Sequence, residues 1–150
     1  MKNAEDLLKA HIERHHLKAT RARGVILRAM MEAKEHLTAE ELHARMKDKM
    51  ASVSLATVYR TLNLLCECGL TESHQFGDGH TRYELIHNVH HHDHLVCVRC
   101  HKIIEFENLL IERLQDKVAR KHGFTIYRHK LELYGLCLEC AKTEEKTKRG

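Results

Sequence analysis

Residues 91–100 read His91-His92-Asp93-His94-Leu95-Val96-Cys97-Val98-Arg99-Cys100, and a second Cys-x-x-Cys follows at Cys137 and Cys140. The first stretch alone offers six potential metal ligands of two chemical kinds. Thiolates at Cys-x-x-Cys spacing favour a closed tetrahedral zinc site, whereas imidazoles with carboxylates favour a more adaptable one. A chain that keeps both kinds side by side is expected to use one metal to hold its shape and another to respond to a signal. The stretch also follows a change of pattern, because helical periods dominate before residue 87 and strand-like runs after it.

Working back from it, Leu7, Leu8, His11 and Ile12 predict a first amphipathic helix. Ala22, Ile26, Ala29, Met30 and Ala33 predict a second by their i, i+3/i+4 spacing. Thr38-x-x-Glu41 is a capping box that opens a third helix through about Lys47, with Leu42 and Met46 inward. Ser54 is the expected N-cap of a fourth helix, which runs to Cys68 and is stopped by Gly69. Its apolar stripe is Leu55, Val58, Leu62, Leu65 and Cys66. Leu70–Phe76 and Thr81–Ile86 are strand-like runs around Gly77-Asp78-Gly79, a hairpin signature. Helices two to four followed by a hairpin predict a winged helix-turn-helix over residues 1–86.

Working forward, His92–Val98 and Lys102–Glu105 predict strands that turn at the first Cys-x-x-Cys. Asn108 is placed to cap a helix to about Lys121, with Leu110, Ile111, Leu114 and Val118 inward and Gly123 closing it. Phe124–Tyr134 reads as one strand, with Tyr127, His129, Leu131 and Leu133 on one face. Residues 141–150 read as a frayed charged tail. The fold class expected is α+β: an N-terminal winged helix-turn-helix, then a small α/β domain over 87–150 with a four-cysteine zinc site.

Composition bounds the function. The chain has 150 residues, 43% of them hydrophobic, and a net charge of +4 that permits nucleic-acid binding without demanding it. No apolar run is long enough to cross a membrane. The N-terminus lacks the apolar core of a signal peptide, so the expected location is cytoplasmic. Thiols stay reduced there, and paired Cys-x-x-Cys motifs read as metal sites before disulfides.

The fourth helix reads as a DNA reader. Thr57, Arg60, Thr61 and Asn63 are expected opposite its apolar stripe, with Tyr59 at the edge. Arg can bond guanine bidentately, Tyr and Thr can contact thymine methyls or phosphate, and Ser54 sits where backbone N–H groups face phosphate. Lys18, Arg21 and Arg23 form a second basic cluster. Cys97, Cys100, Cys137 and Cys140 together complete a four-thiolate tetrahedron with no open position, hence structural Zn²⁺. Cys66 and Cys68 read as small core hydrophobes.

Strand alternation divides the histidines. His91 and Asp93 point to one face, where Glu112 and His129 can join them. His92 and His94 point to the other, with Glu84, Glu105 and His36 as candidates to complete a second site.

These motifs, in this order, resemble the ferric uptake regulator (Fur) family. The resemblance rests on His-His-Asp-His-x-x-Cys-x-x-Cys, on Ile104-Glu105-Phe106 and on Tyr134-Gly135-x-Cys137-x-x-Cys140. Ser54-Leu55-Ala56-Thr57-Val58-Tyr59-Arg60-Thr61-Leu62 resembles that family's recognition helix, and Leu17-Lys18-Ala19-Thr20-x-x-Arg23 its helix-two entry. The resemblance implies a homodimeric, metal-dependent repressor, with a tetramer as the alternative assembly, on a pseudo-palindromic AT-rich operator. It implies a regulatory site of His36, Glu84, His92, His94 and Glu105, and an additional site of His91, Asp93, Glu112 and His129. It also implies Tyr59 and Arg60 in the major groove and Lys18 in the minor groove.

The chain departs from the pattern at His101, where a Gly usually follows the first Cys-x-x-Cys, and in lacking the usual Pro near Arg23. His87 and His90 add imidazoles beside the motif. Glu105 and Glu84 point to Fe²⁺ as the sensed metal, with Mn²⁺ or Zn²⁺ as substitutes. Alternatives are a peroxide-, manganese- or zinc-sensing member, or a zinc-stapled DNA-binding module that senses nothing. His-His-Asp-His is also similar to metallohydrolase motifs, but the chain carries no phosphate loop, nucleophile elbow or second His-rich block, so an enzyme is not expected.

Overall fold

The computed structural model describes residues 3–33, 35–48, 51–86 and 91–148, with side chains to Glu144. The chain forms two units, Met1–His90 and His91–Gly150. His87 and His90 lie outside the described residues.

In the first unit, α1 (Ala4–Arg14) is capped by Asn3, whose side chain accepts from the Asp6 N–H. It buries Ala4, Leu8 and Ile12. Helix α2 (Arg21–Ala33) buries Ile26, Leu27 and Met30. A two-residue strand, β1 (Leu37–Thr38), runs into α3 (Ala39–Met46). The capping box at its start is formed in both directions, with the Thr38 side chain accepting from the Glu41 N–H and the Glu41 side chain accepting from the Thr38 N–H. Helix α4 (Leu55–Glu67) starts on Ser54, which accepts from the Thr57 N–H. It ends at Cys68 and Gly69, and Gly69 adopts φ 67°, which favours glycine.

Strands β2 (Thr71–Gln75) and β3 (Thr81–Leu85) form the expected hairpin. Gly77 and Gly79 supply positive φ at the turn, and Arg82 pairs with Asp78 at 2.5 Å. The sheet order β1-β3-β2 puts β3 in the centre, antiparallel to both neighbours. One core runs from Leu8 through Ile26, Leu27, Leu42, Val58, Leu62 and Leu65 to Tyr83. Burying each of these side chains fully stabilises the fold by roughly 1.5–3 kcal/mol. One expectation fails here. Thr61 is 3% exposed and so faces the core. It stands three residues after Val58 and four before Leu65, so the helical period sets it in the apolar stripe whatever its hydroxyl implies.

The second unit is built on β4 (Asp93–Cys97), paired antiparallel with β5 (Ile103–Phe106) and parallel with β6 (Glu132–Gly135). Asn108 caps α5 (Leu109–Lys121) by accepting from the Leu110 and Ile111 N–H groups. Three expectations are corrected. No residue of α5 is buried, and Leu110, Leu114 and Val118 are 60–67% exposed. The expected long strand Phe124–Tyr134 is reduced to β6. In the stretch before β6, Tyr127 is 95% exposed and Phe124 72%. Alternation of side chains reports an extended chain but cannot supply the neighbouring strand that pairing requires. The expected frayed tail is instead a helix, α6 (Leu138–Lys148).

Candidate metal centres and nucleic-acid interface

The four cysteines converge from two turns. Cys97 ends β4 and Cys100 closes the turn before β5, while Cys137 and Cys140 sit between β6 and the first turn of α6. All four Sγ atoms lie within 4.8 Å of one another, and Cys100 and Cys137 are 3.7 Å apart. A tetrahedron with Zn–S near 2.3 Å has edges of about 3.8 Å, so the spacing fits zinc. Cys97 Sγ accepts from the Cys137 backbone N–H at 3.4 Å. This donor, with the Cys100 and Arg99 N–H groups, draws the Cys97 thiol down to about 5, a thiolate at neutral pH. Hydrogen bonding to Cys137, reinforced by desolvation, pushes Cys140 up to about 12. A thiolate crowded by further sulfurs calls for a cation.

Within the second unit, His91, Asp93, Glu112 and His129 bring one ligand atom each within 4.8 Å of the others. Asp93 is 1% exposed, and neither of its carboxylate oxygens has a hydrogen-bond donor among the described residues. His91 Nε2 lies 3.3 Å and His129 Nε2 3.5 Å from Asp93 Oδ1, and Glu112 Oε1 lies 3.4 Å from His129 Nε2. A buried carboxylate without donors is costly unless a cation compensates it, so these residues fit a divalent metal with N and O ligands. The expected grouping of these four side chains is therefore present.

On the other face of β4, His94 is buried and the His92 and His94 rings stand 5.0 Å apart. His92 Nε2 is 3.9 Å from Glu105 Oε1. In the first unit, His36 Nε2 is 3.0 Å from Glu84 Oε2, and the two side chains are 6% and 9% exposed. Each unit thus assembles its own share of the five residues expected at a regulatory site.

Sequence reasoning missed one neighbour of Glu84. His74 Nε2 approaches the same Glu84 oxygen to 3.3 Å. The signal was available: Glu72 stands opposite Glu84 in the hairpin, so His74 falls on the same face.

On α4, Tyr59, Arg60 and Asn63 are exposed. Tyr59 donates its hydroxyl hydrogen to Glu40 Oε1 at 2.6 Å, which raises the Tyr59 pKa and lowers that of Glu40. Asn63 Oδ1 accepts from the Tyr83 hydroxyl at 3.4 Å. Ser54 Oγ and Thr57 Oγ1 lie 2.9 Å apart at the helix start. Lys18 is exposed, and its carbonyl accepts from Arg23 Nη1 at 2.5 Å, which stiffens the entry to α2.

Residues 14–134 match the family model of the Ferric uptake regulator family. The chain is 44% identical over 134 residues to the Ferric uptake regulation protein of Campylobacter jejuni, an alignment that covers 88% of this chain and 85% of that one. The solved structure of the Helicobacter pylori ferric uptake regulator, described as revealing three functional metal binding sites, superposes with a TM-score of 0.84 at 29% identity. That match covers 93% of this chain and 95% of the other. The Vibrio cholerae ferric uptake regulator superposes at 0.73 with 38% identity, covering 84% of this chain and 96% of that one.

Proposed function

The chain belongs to the ferric uptake regulator family and is a metal-responsive, DNA-binding transcriptional regulator, and from that premise we propose that it is a dimeric, Fe²⁺-activated repressor of metal-uptake genes rather than an enzyme. His36 and Glu84 from the first unit, with His92, His94 and Glu105 from the second, hold the regulatory metal. Cys97, Cys100, Cys137 and Cys140 hold structural Zn²⁺, and His91, Asp93, Glu112 and His129 hold a further divalent ion. Mn²⁺ and Zn²⁺ are the expected substitutes, because Irving–Williams affinities do not separate metals by physiological role.

The observation that carries this reading is the buried His36–Glu84 pair at 3.0 Å. A carboxylate and an imidazole held side by side where water is nearly excluded are ligand types suited to a divalent cation. Their counterparts lie together in the second unit, His92 just before β4, His94 on β4 and Glu105 on β5. When bound, Fe²⁺ supplies the positive charge that lets two carboxylates share one site. A metal held by ligands from both units would restrict the winged helix to one orientation. Such a switch requires that the ligands fit the metal better in the DNA-competent arrangement than in others.

Tyr59 and Arg60 on α4 read the major groove, Ser54 and Thr57 meet phosphate at the helix start, and Lys18 enters the minor groove. Two copies then match two half-sites of a pseudo-palindromic AT-rich operator. The second copy is expected to cover the apolar groove of about 700 Å³ lined by Ile111, Leu114, Val118, Phe124 and Ile126. A cytoplasmic location follows from this role, and no described helix is long and apolar enough to cross a membrane.

The test is substitution of one ligand from each unit. Glu84→Ala and His92→Ala should each weaken metal-stimulated operator binding while leaving the dimer intact. Unchanged metal dependence in both variants would refute the assignment.

A further inference from the structure

Glu84 lies on the central strand of the first unit's sheet, and side chains from both neighbouring strands converge on it. On one side the pairing Leu37↔Tyr83, continued by one residue, sets His36 across from Glu84. On the other side Glu72 is directly opposite Glu84, so His74 is its diagonal neighbour on the same face, within reach of a long side chain. His36 Nε2 at 3.0 Å and His74 Nε2 at 3.3 Å meet the same oxygen, Glu84 Oε2. His74 is 4% exposed. Its ring stacks on Phe76 with centroids 5.4 Å apart and planes 5° from parallel, and Phe76 also meets the His36 ring edge-on at 5.8 Å.

We propose that His74 is a positioning residue of the regulatory metal site: its imidazole, clamped against Phe76, holds the Glu84 carboxylate in the orientation from which Glu84 binds metal. The inference rests on the assignment of Glu84 as a regulatory ligand. A carboxylate ligand left to itself samples several rotamers, and selecting one of them on binding costs entropy. A buried ring stacked on an aromatic neighbour has already lost that freedom. The His74 ring meets Oε2 at 3.3 Å and so restricts the rotamers open to the Glu84 carboxylate. Outer partners of this kind typically set about 10- to 100-fold in metal affinity.

The experiment uses full-length, zinc-replete protein titrated separately with Mn²⁺ alone and Co²⁺ alone, comparing wild type, Glu84→Ala, His74→Leu and His74→Gln. The readouts are Mn²⁺ affinity, the Co²⁺ d–d absorption band, and the thermal midpoint before either metal is added. At the site that Glu84→Ala abolishes, His74→Leu should lose about 10- to 100-fold in Mn²⁺ affinity and shift the Co²⁺ band. Its thermal midpoint without added metal reports separately the loss of the buried ring's packing, and the loss of Mn²⁺ affinity should persist at temperatures well below that midpoint. His74→Gln, whose amide N–H can reach Oε2, should recover most of the lost affinity. Should His74→Leu lose its fold, His74→Asn, whose amide ends short of Oε2, takes its place against His74→Gln. Wild-type affinity and an unshifted band in the Leu or Asn variant, or a Gln variant no better than it, would overturn the proposal. If Glu84→Ala itself leaves Mn²⁺ affinity unchanged, the regulatory assignment fails and this inference falls with it. If Glu84→Ala weakens binding and the His74 variants do not, this inference alone is wrong.

Discussion

His91 Nε2 and His129 Nε2 stand 2.7 Å apart with their ring planes 74° to one another. Two ring nitrogens at that distance cannot both carry hydrogens or both present lone pairs without repulsion. Both also face Asp93 Oδ1. The arrangement gathers imidazole lone pairs and a buried anion around one point.

Asp93→Asn tests that centre. The substitution removes an anion buried to 1% exposure and with it the cost of burying it. Zinc-replete protein without further metal should therefore melt at or above the wild-type temperature. The rise in melting temperature on adding Mn²⁺ should shrink, because one binding site no longer contributes its share of ligand stabilisation. An undiminished rise would show that Asp93 does not bind the ion.

The exposed apolar face of α5 predicts an oligomer that a charge can split. Leu114 and Val118 are 61% and 60% exposed in one chain and line the groove that a second copy is proposed to cover. Leu114→Asp would bury an unpaired carboxylate in the dimer, which costs several kcal/mol and shifts the dimer constant by more than a hundredfold. Sedimentation should show monomers at micromolar concentration. Dimers of wild-type strength would place the interface elsewhere.

His101 follows the first Cys-x-x-Cys with φ 59°, where the family pattern has Gly. A side chain in the left-handed region costs on the order of 1 kcal/mol. His101→Gly should raise stability in urea by about that amount, less what the more flexible unfolded chain recovers. No gain, or a loss, would mean that the imidazole makes a compensating contact.

Burial pushes the Cys68 thiol up to about 11 from an ordinary 9.0, and desolvation raises Cys66 as well. Below pH 9 both states of the chain keep the Cys68 proton. Between pH 9 and about 11 the unfolded chain releases it and the folded chain does not, so stability falls as pH rises through that window. Urea midpoints from pH 8 to 11 should decline, and Cys68→Ala should flatten the decline. At pH 7.5 neither thiol should react with iodoacetamide while the protein is folded.

Much of the first unit was legible because its signals are local. The Thr38/Glu41 capping box, the Ser54 cap and the Gly77-Asp78-Gly79 turn each lie within a few residues of what they decide. The side-chain groupings of the second unit were partly legible for a similar reason, since alternation along an extended chain separates His91 and Asp93 from His92 and His94.

What failed depends on a partner or on one residue's ambiguity. The face of α5 is apolar as expected, yet the described residues of one chain leave much of it uncovered, so Leu110 and Leu114 are exposed. Residues 124–130 alternate as a strand does but pair with no strand among the described residues, and contact with β4 begins only at Leu131, whose carbonyl accepts from the His94 N–H. Thr61 was read from its hydroxyl when its position in the helical period mattered more. His74 went unnoticed because its role follows from a cross-strand diagonal, which appears only once the hairpin register is fixed.

The central claim is that a metal held by His36, Glu84, His92, His94 and Glu105 turns DNA binding on. The most direct measurement is binding of the purified zinc-replete protein to a palindromic AT-rich duplex under anaerobic conditions, titrated with Fe²⁺ and then Mn²⁺ at fixed salt. The account predicts weak, sequence-indifferent binding without added metal and specific binding at least tenfold tighter with it, lost again in Glu84→Ala. The same specific affinity with and without metal would contradict it and leave a zinc-stapled DNA-binding protein with no switch.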